Sequence, residues 1–159
     1  MLRAPVNWQQ LSAIGALALS PDQAQVRTFL SLHPGPIRAP QVIAFLRSLR
    51  RQLRGKVLLV WDRLSAHRAR LTRDWIASRR HWLQVEWLPA YAPELNPVEY
   101  LWAYLKAGDS ANFCAVDLAD LAAHIGRPVR RLRSRDHLPW SFLKHSALYP
   151  FITSLRDSH

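Results

Sequence analysis

The run Val57–Trp61 restricts the possible folds most, because every residue in it is apolar and segments with helical periodicity flank it. Such a run is typical of a strand that is buried on both faces of a parallel sheet. Asp62 follows the strand directly. Ligands of open α/β sheets collect at the carboxyl ends of strands, so this position predicts a functional acid.

Two apolar runs, residues 12–19 and 26–32, come before this strand, and a turn at residues 20–23 separates them. They predict a β-hairpin. From Pro40 onward, apolar residues recur at helical spacing and arginines form a second stripe beside them. The apolar positions are Val42, Leu46, Leu49 and Leu53, and the arginines are Arg47, Arg50, Arg51 and Arg54. Gly55 ends this helix.

A second helix is predicted over residues 67–80, with Leu71, Trp75 and Ile76 facing inward. The alternating segment Leu83–Trp87 predicts another strand. Pro97 suits the opening of a third helix, whose buried stripe is Val98, Leu101, Trp102 and Leu105.

The remaining third of the chain predicts helices and a packed tail. Asp117 is expected to cap a short helix that Gly126 and Pro128 terminate. An arginine-rich segment follows, and the apolar residues of the final segment are expected to pack back on the domain.

Composition favours one domain and a polyanionic partner. A chain of 159 residues fits a single core, and 22 Lys and Arg against 11 Asp and Glu give a net charge of +11. Clustered cations suit nucleic acid, although a ribosome-like or membrane-surface protein would show the same charge. Cys114 is the only cysteine, which excludes a disulfide framework. Because the sequence shows no signal peptide or membrane span, we expect a cytoplasmic protein without a membrane partner.

Asp62 and Glu99 are the candidate metal-binding pair. One helix and one strand separate them, so folding could bring both carboxylates to one edge of the sheet, where magnesium would serve phosphodiester chemistry. Each acid also has a structural explanation: Asp62 as a turn or cap residue, and Glu99 as a glutamate favoured by the helix dipole. Taken singly, the structural explanations are favoured.

Three basic residues near these acids also leave two interpretations open. His67 could orient a phosphate or cap and pack a helix start. Arg63 could pair with Asp62 or bind substrate phosphate. Lys106, two helical turns beyond Glu99, could hold a DNA phosphate or be a solvated lysine.

Residues 60–68, 88–99 and 102–106 together resemble the DDE-type transposases of bacterial insertion sequences, in the branch related to mariner elements. The resemblance implies an α/β, RNase H-like mixed sheet flanked by helices, with DNA cleavage and strand transfer that depend on Mg²⁺ or Mn²⁺. It implies that Asp62 and Glu99 are the second and third catalytic acids and metal ligands. Arg63, which stands where many relatives have Asn, His67 and Lys106 are the implied nucleic-acid contacts.

The same resemblance implies that the first catalytic Asp lies on a strand ahead of the hairpin. The only acid before Asp62 is Asp22, in a turn, so it is not assigned as a ligand. We therefore expect residues 1–159 to be one catalytic-domain fragment, with a core at about 12–106 and a helical extension at 107–159. The first, central strand would be missing, the neighbouring strand edges would lack partners, and the fragment would be inactive alone.

The implied partners are the ends of an insertion sequence and its target DNA, together with the missing amino-terminal portion or a second copy of the chain. The alternative function is a non-catalytic, basic DNA-binding remnant. A third is another RNase H-like nuclease whose remaining acid is Asp136. A basic α/β scaffold without chemistry is a fourth.

Overall fold

The computed structural model describes residues 11–107 and 118–154. Its strands are β1 (Leu11–Leu19), β2 (Val26–Pro34), β3 (Val57–Trp61) and β4 (Leu83–Trp87). Its α-helices are α1 (Ala39–Gln52), α2 (Ser65–Arg68), α3 (Arg70–Ala77), α4 (Val98–Ala107), α5 (Leu118–Arg133), α6 (His137–His145) and α7 (Tyr149–Ser154). The predicted α/β class is confirmed, as are β4 and the opening of α4 directly after Pro97.

β1 and β2 form the predicted antiparallel hairpin, in a register that pairs Leu11 with Pro34 and Leu19 with Val26. The backbone N–H of Ser20 donates to the carbonyl of Gln25 at 2.9 Å across the turn. Asp22 accepts a hydrogen bond from the backbone N–H of Ala24 at 3.0 Å. Asp22 therefore shapes the turn of the hairpin.

β3 pairs with β4 in parallel, but the prediction that β3 is buried on both faces is wrong. Trp61 is 7% exposed and faces the core, whereas Leu58 is 55% exposed and Val60 is 36% exposed on the opposite face. Helix α1 covers only one face of this pair, and nothing in the described part of the chain buries Leu58.

The strands form two separate two-stranded sheets among the described residues, where a single mixed sheet was expected. Both sheets contribute to one hydrophobic core beneath α1, in which Phe29 of β2 and Trp61 of β3 pack with Val42 and Leu46. Within the described residues, β1 is hydrogen-bonded to β2 and β3 is hydrogen-bonded to β4, and neither pair is joined to the other. An edge of β1 and an edge of β3 are thus unpaired in the described part of the chain.

A second core lies on the other side of the hairpin and holds α4 in place. Leu101 is 0% exposed and packs with Leu105, Leu132 of α5 and Phe142 of α6. The predicted buried stripe of α4 is confirmed. The predicted packing of the tail is confirmed for Phe142, which is 7% exposed, but is wrong for Phe151, which is 64% exposed. Gly15 allows the close approach of α4, because a Cβ atom there would lie 2.9 Å from the Trp102 ring.

The helix predicted over residues 67–80 is interrupted. Ala69 has an extended backbone, with ψ of 142°, and separates α2 from α3. The break rotates α3, so Leu71 is 55% exposed and Thr72 is 0% exposed. The Thr72 hydroxyl donates to the carbonyl of Ala66 at 2.8 Å, which satisfies its buried oxygen. The inward prediction was wrong for Leu71 but correct for Trp75 and Ile76, which pack against the core.

Helix α5 continues through Gly126 and Pro128 to Arg133, so the predicted termination is wrong. An internal proline costs a helix about 3 kcal/mol. Here Pro128 is buried and Leu132 is 3% exposed in the second core, so tertiary packing offsets that cost. The proposed cap Asp117 and Cys114 lie outside the described residues. No helix in the described ranges is long and apolar enough to cross a membrane.

Candidate functional site

Asp62 directly follows β3 at its carboxyl end, where the sequence predicted a functional acid. Its Oδ1 accepts hydrogen bonds from the backbone N–H of Leu64, at 3.1 Å, and from Nδ1 of His67, at 2.8 Å. Both of the contacts that the structure records for this carboxylate fall on Oδ1. Oδ2 is therefore the oxygen that a cation could approach.

His67 is fixed by a ring stack as well as by Asp62. Its imidazole lies 4.2 Å from the Trp61 ring at an interplanar angle of 9°, and its side chain is 15% exposed. Nδ1 also lies 3.2 Å from the backbone carbonyl oxygen of Asp62, so two oxygens of this residue position the imidazole. Trp61 thus serves as a platform for His67, a role that sequence reasoning missed because the tryptophan was explained by the core alone.

Hydrogen bonding lowers the pKa of the Asp62 carboxyl below its ordinary value. The largest cause is the hydrogen bond from His67, with smaller contributions from the Leu64 N–H and the His67 charge, while partial burial opposes them. Acceptance of hydrogen bonds favours the ionised form of a carboxylate. Asp62 is therefore an anion at neutral pH, as a ligand for a hard cation must be.

Arg63 ties the ends of the two parallel strands together. Its Nε donates to the carbonyl of Leu88 at 3.0 Å, and the Leu88 N–H donates to the carbonyl of Trp61 at 2.9 Å. In the described part of the chain, no ion pair joins Arg63 to Asp62, whose partner is His67. The predicted contact of Arg63 with DNA stays a prediction.

Glu99 lies in the first turn of α4 and is exposed. Asn96 caps this turn, because its Oδ1 accepts from the backbone N–H of Val98 at 3.2 Å. The loop leading to Glu99 starts at Leu88, beside the end of β3. Lys106 lies in the last turn of α4 and is also exposed. The structure unites Asp62 with His67, whereas the meeting of Asp62 and Glu99 on one ion stays a prediction.

Two contacts from the end of α6 and from the turn after it brace the segment around Glu99. The Ala147 N–H donates to the carbonyl of Glu94 at 2.9 Å, and the Tyr100 hydroxyl donates to the carbonyl of His145 at 3.0 Å. Sequence reasoning missed both contacts, since backbone acceptors carry no residue-specific signal.

The ligand set is incomplete within residues 11–107 and 118–154, where no group of three or more His, Cys, Asp or Glu side chains could hold a metal. Carboxylate oxygens are nevertheless the donors that Mg²⁺ prefers. Asp62 fits one position of such a site through Oδ2. Further oxygen ligands are needed to complete it.

A comparison with models of known protein families shows the family to which the chain belongs. Residues 2–113 match the profile of the DDE superfamily endonucleases, which covers more than half of the sequence. The chain belongs to this family. Asp62, His67 and Glu99 of this DDE superfamily member all lie inside the matched range, whereas helices α5, α6 and α7 lie beyond it. Neither the curated proteins nor the solved structures give a match.

Proposed function

We propose that this chain is the catalytic-domain portion of a transposase from a bacterial insertion sequence of the mariner-related branch. Its substrates would be the DNA ends of the element and the target DNA. The observation that carries the proposal is Asp62, held as an anion at the carboxyl end of β3 with Oδ2 left for a cation. Membership of the DDE superfamily endonucleases supports the same chemistry.

In this proposal Asp62 and Glu99 hold Mg²⁺ or Mn²⁺. The ion would stabilise charge that develops on the phosphodiester oxygens during cleavage and strand transfer. Asp62 contributes an ionised oxygen, and His67 orients that carboxylate through Oδ1, as partners of metal ligands commonly do. Arg63 and Lys106 are the proposed contacts to DNA phosphates.

We propose that a further carboxylate comes from an additional strand, supplied by the amino-terminal portion of the transposase and placed between β1 and β3. Both strands have an unpaired edge, and both contribute to the core beneath α1. Unpaired backbone groups at sheet edges favour the addition of a strand. Without that strand the site keeps two acids, and we propose that the chain alone does not cleave DNA.

The second candidate function is a non-catalytic, basic DNA-binding remnant. It is favoured by the absence of a three-ligand cluster within the described ranges and by the net charge of +11. DNA binding would then depend on salt and would not respond to changes at Asp62 or Glu99.

Metal binding distinguishes the two functions. Binding of Mn²⁺ to the chain is measured by electron paramagnetic resonance for the wild type and for Asp62→Asn and Glu99→Gln. Each variant should weaken binding by about tenfold or more, because each removes a charged oxygen ligand. Asp74→Asn is the matched control, since Asp74 is exposed on α3 and pairs only weakly with Arg70 at 3.6 Å. Its effect should be below about twofold, as for an isolated surface charge.

Equal Mn²⁺ affinity in the wild type and in both site variants would reject the proposed metal site and favour the remnant. A nicking assay with Mg²⁺ and duplex DNA completes the test. Cleavage by the chain alone, lost in Asp62→Asn, would support the metal site and contradict the proposed need for a further strand.

A further inference from the structure

A cationic cleft lies along the outer edge of β2, away from the Asp62 site. Its volume is about 390 Å³, and residues of β2, α1 and α5 line it. The polar residues of its lining are Arg27, Thr28, Ser31, His33, Ser48, Gln52 and Arg133. None of its lining residues is acidic, and none belongs to the site around Asp62.

Arg27 is held in a position from which it can bind an anion. Its guanidinium lies 5.0 Å from the centre of the Phe29 ring, and Nη1 donates to the carbonyl of Gln52 at 3.3 Å. That bond uses one of the five N–H donors of a guanidinium, whose planar fork matches phosphate oxygens. Ordering by the ring reduces the entropy that Arg27 would lose on binding.

The other walls add donors and positive charge. The Ser31 hydroxyl lies 2.9 Å from Nε2 of His33 on β2. On α1, the exposed Arg47 lies three positions after the lining residue Ala44, and the exposed Arg51 lies three positions after the lining residue Ser48. Both arginines therefore flank the cleft on the helix surface. Hydroxyl, imidazole and guanidinium groups are donors for the acceptor oxygens of a phosphodiester.

We propose that this cleft binds the sugar–phosphate backbone of DNA, without reading its sequence, at a distance from the reacting phosphodiester. The choice of DNA rests on the proposed function, but the cleft does not depend on the acids that hold the metal. Arg133 lies beyond the residues that match the family, so this contact is a feature of the present chain. An extended peptide added to the free edge of β2 is the competing occupant. The lining favours DNA because it is cationic and has hydroxyl donors.

Fluorescence anisotropy with a labelled duplex of about 20 base pairs tests this proposal. EDTA is present to remove divalent metal ions, so that only metal-independent binding is measured. Arg27→Gln and Arg133→Gln should each weaken binding about threefold to tenfold. Each lost phosphate contact should also lower the slope of log Kd against log salt by about 0.9. The matched control is Arg73→Gln with Arg80→Gln, which removes two exposed arginines outside the cleft lining.

The proposal is overturned if the double variant of Arg27 and Arg133 binds DNA with the same Kd and salt slope as the control double variant. Ser48→Glu is a second test that keeps the Arg27–Phe29 contact, so it remains informative if loss of that contact disturbs folding. It places a negative charge in the cleft and should weaken DNA binding more than Gln84→Glu, which adds the same charge at an exposed position of β4. Equal effects of these two substitutions would also reject the cleft.

This test separates the cleft from the proposed function. Normal DNA binding by Asp62→Asn and reduced binding by the cleft variants would support the cleft even if the Mn²⁺ experiment fails. Loss of the metal site alone would leave the cleft intact as a DNA contact of a non-catalytic protein.

Discussion

The two strand pairs of this chain are covered to different extents. The β1–β2 hairpin packs against α1 through Phe29 and against the second core through Leu17 and Leu30. The β3–β4 pair packs against the first core on one face only, and Leu58 is 55% exposed on the other. Parallel sheets are normally covered on both faces, so the half-covered pair is where the fold has room for a further element.

This difference also separates the better packed strand pair from the proposed catalytic acids. The hairpin is the better packed pair, and no proposed catalytic residue lies on it. The half-covered pair carries Asp62 at its carboxyl end and leads through Leu88 towards Glu99. The proposed catalytic acids are therefore associated with the strand pair that the described residues cover least.

The largest expected effect is on the covered side of the comparison. Leu101→Ala should lower the free energy of unfolding by about 2–5 kcal/mol, because it leaves a cavity at a fully buried position. Urea unfolding followed by circular dichroism measures the loss. A change below about 1 kcal/mol would mean that α4 does not stabilise the hairpin and would break the comparison.

An intermediate effect is expected at the end of β3 and depends on pH. The folded pKa of Asp62 is lowered, so its stabilising contribution is fully present above the unfolded value of about 3.9 and is lost as the pH falls through the lower folded value. Asp62→Asn should be less stable than the wild type by up to about 1 kcal/mol near neutral pH, because solvent screens a side chain that is 35% exposed.

The difference between Asp62→Asn and the wild type should shrink towards zero in strong acid, and urea unfolding at a series of pH values measures it. A difference that grew on acidification would show that the hydrogen bond with His67 does not favour the ionised carboxylate.

The smallest effect is expected on the open face. Leu58→Thr should change the free energy of unfolding by no more than about 0.5 kcal/mol, because the side chain is mostly in solvent and Thr suits a strand. The same urea experiment measures it. A loss comparable with that of Leu101→Ala would reveal that this face is covered in solution and would remove the contrast between the pairs.

Local periodicity was enough to predict the described strands and helices α1 and α4. The alternation in Leu83–Trp87 and the apolar stripe of α4 each reflect one buried face, which a single segment can specify. The exposure of Leu58 could not be predicted from the apolar run. The sequence of an apolar strand does not indicate whether another element covers its second face. The continuation of α5 through Pro128 was also unpredictable, since distant residues stabilise it.

The candidate site was predictable in its residue types but not in its local arrangement. The acid after a buried strand and the acid opening a helix follow from sequence position. In Asp62, Oδ1 accepts the hydrogen bonds from His67 and Leu64. This arrangement depends on the turn after β3 and on the stacking of His67 on Trp61. The sequence cannot distinguish the two oxygens of a carboxylate, because they differ only in their surroundings in the folded chain.

The bonds from Ala147 to Glu94 and from Tyr100 to His145 have a practical consequence. They connect the stretch that presents Glu99, which lies in the family-matched region, to the end of α6 and the turn after it, which lie outside that region. A chain shortened to its matched portion would lose this outside scaffold. Comparative assays on such a shortened chain would then report a displaced glutamate rather than the chemistry of the family.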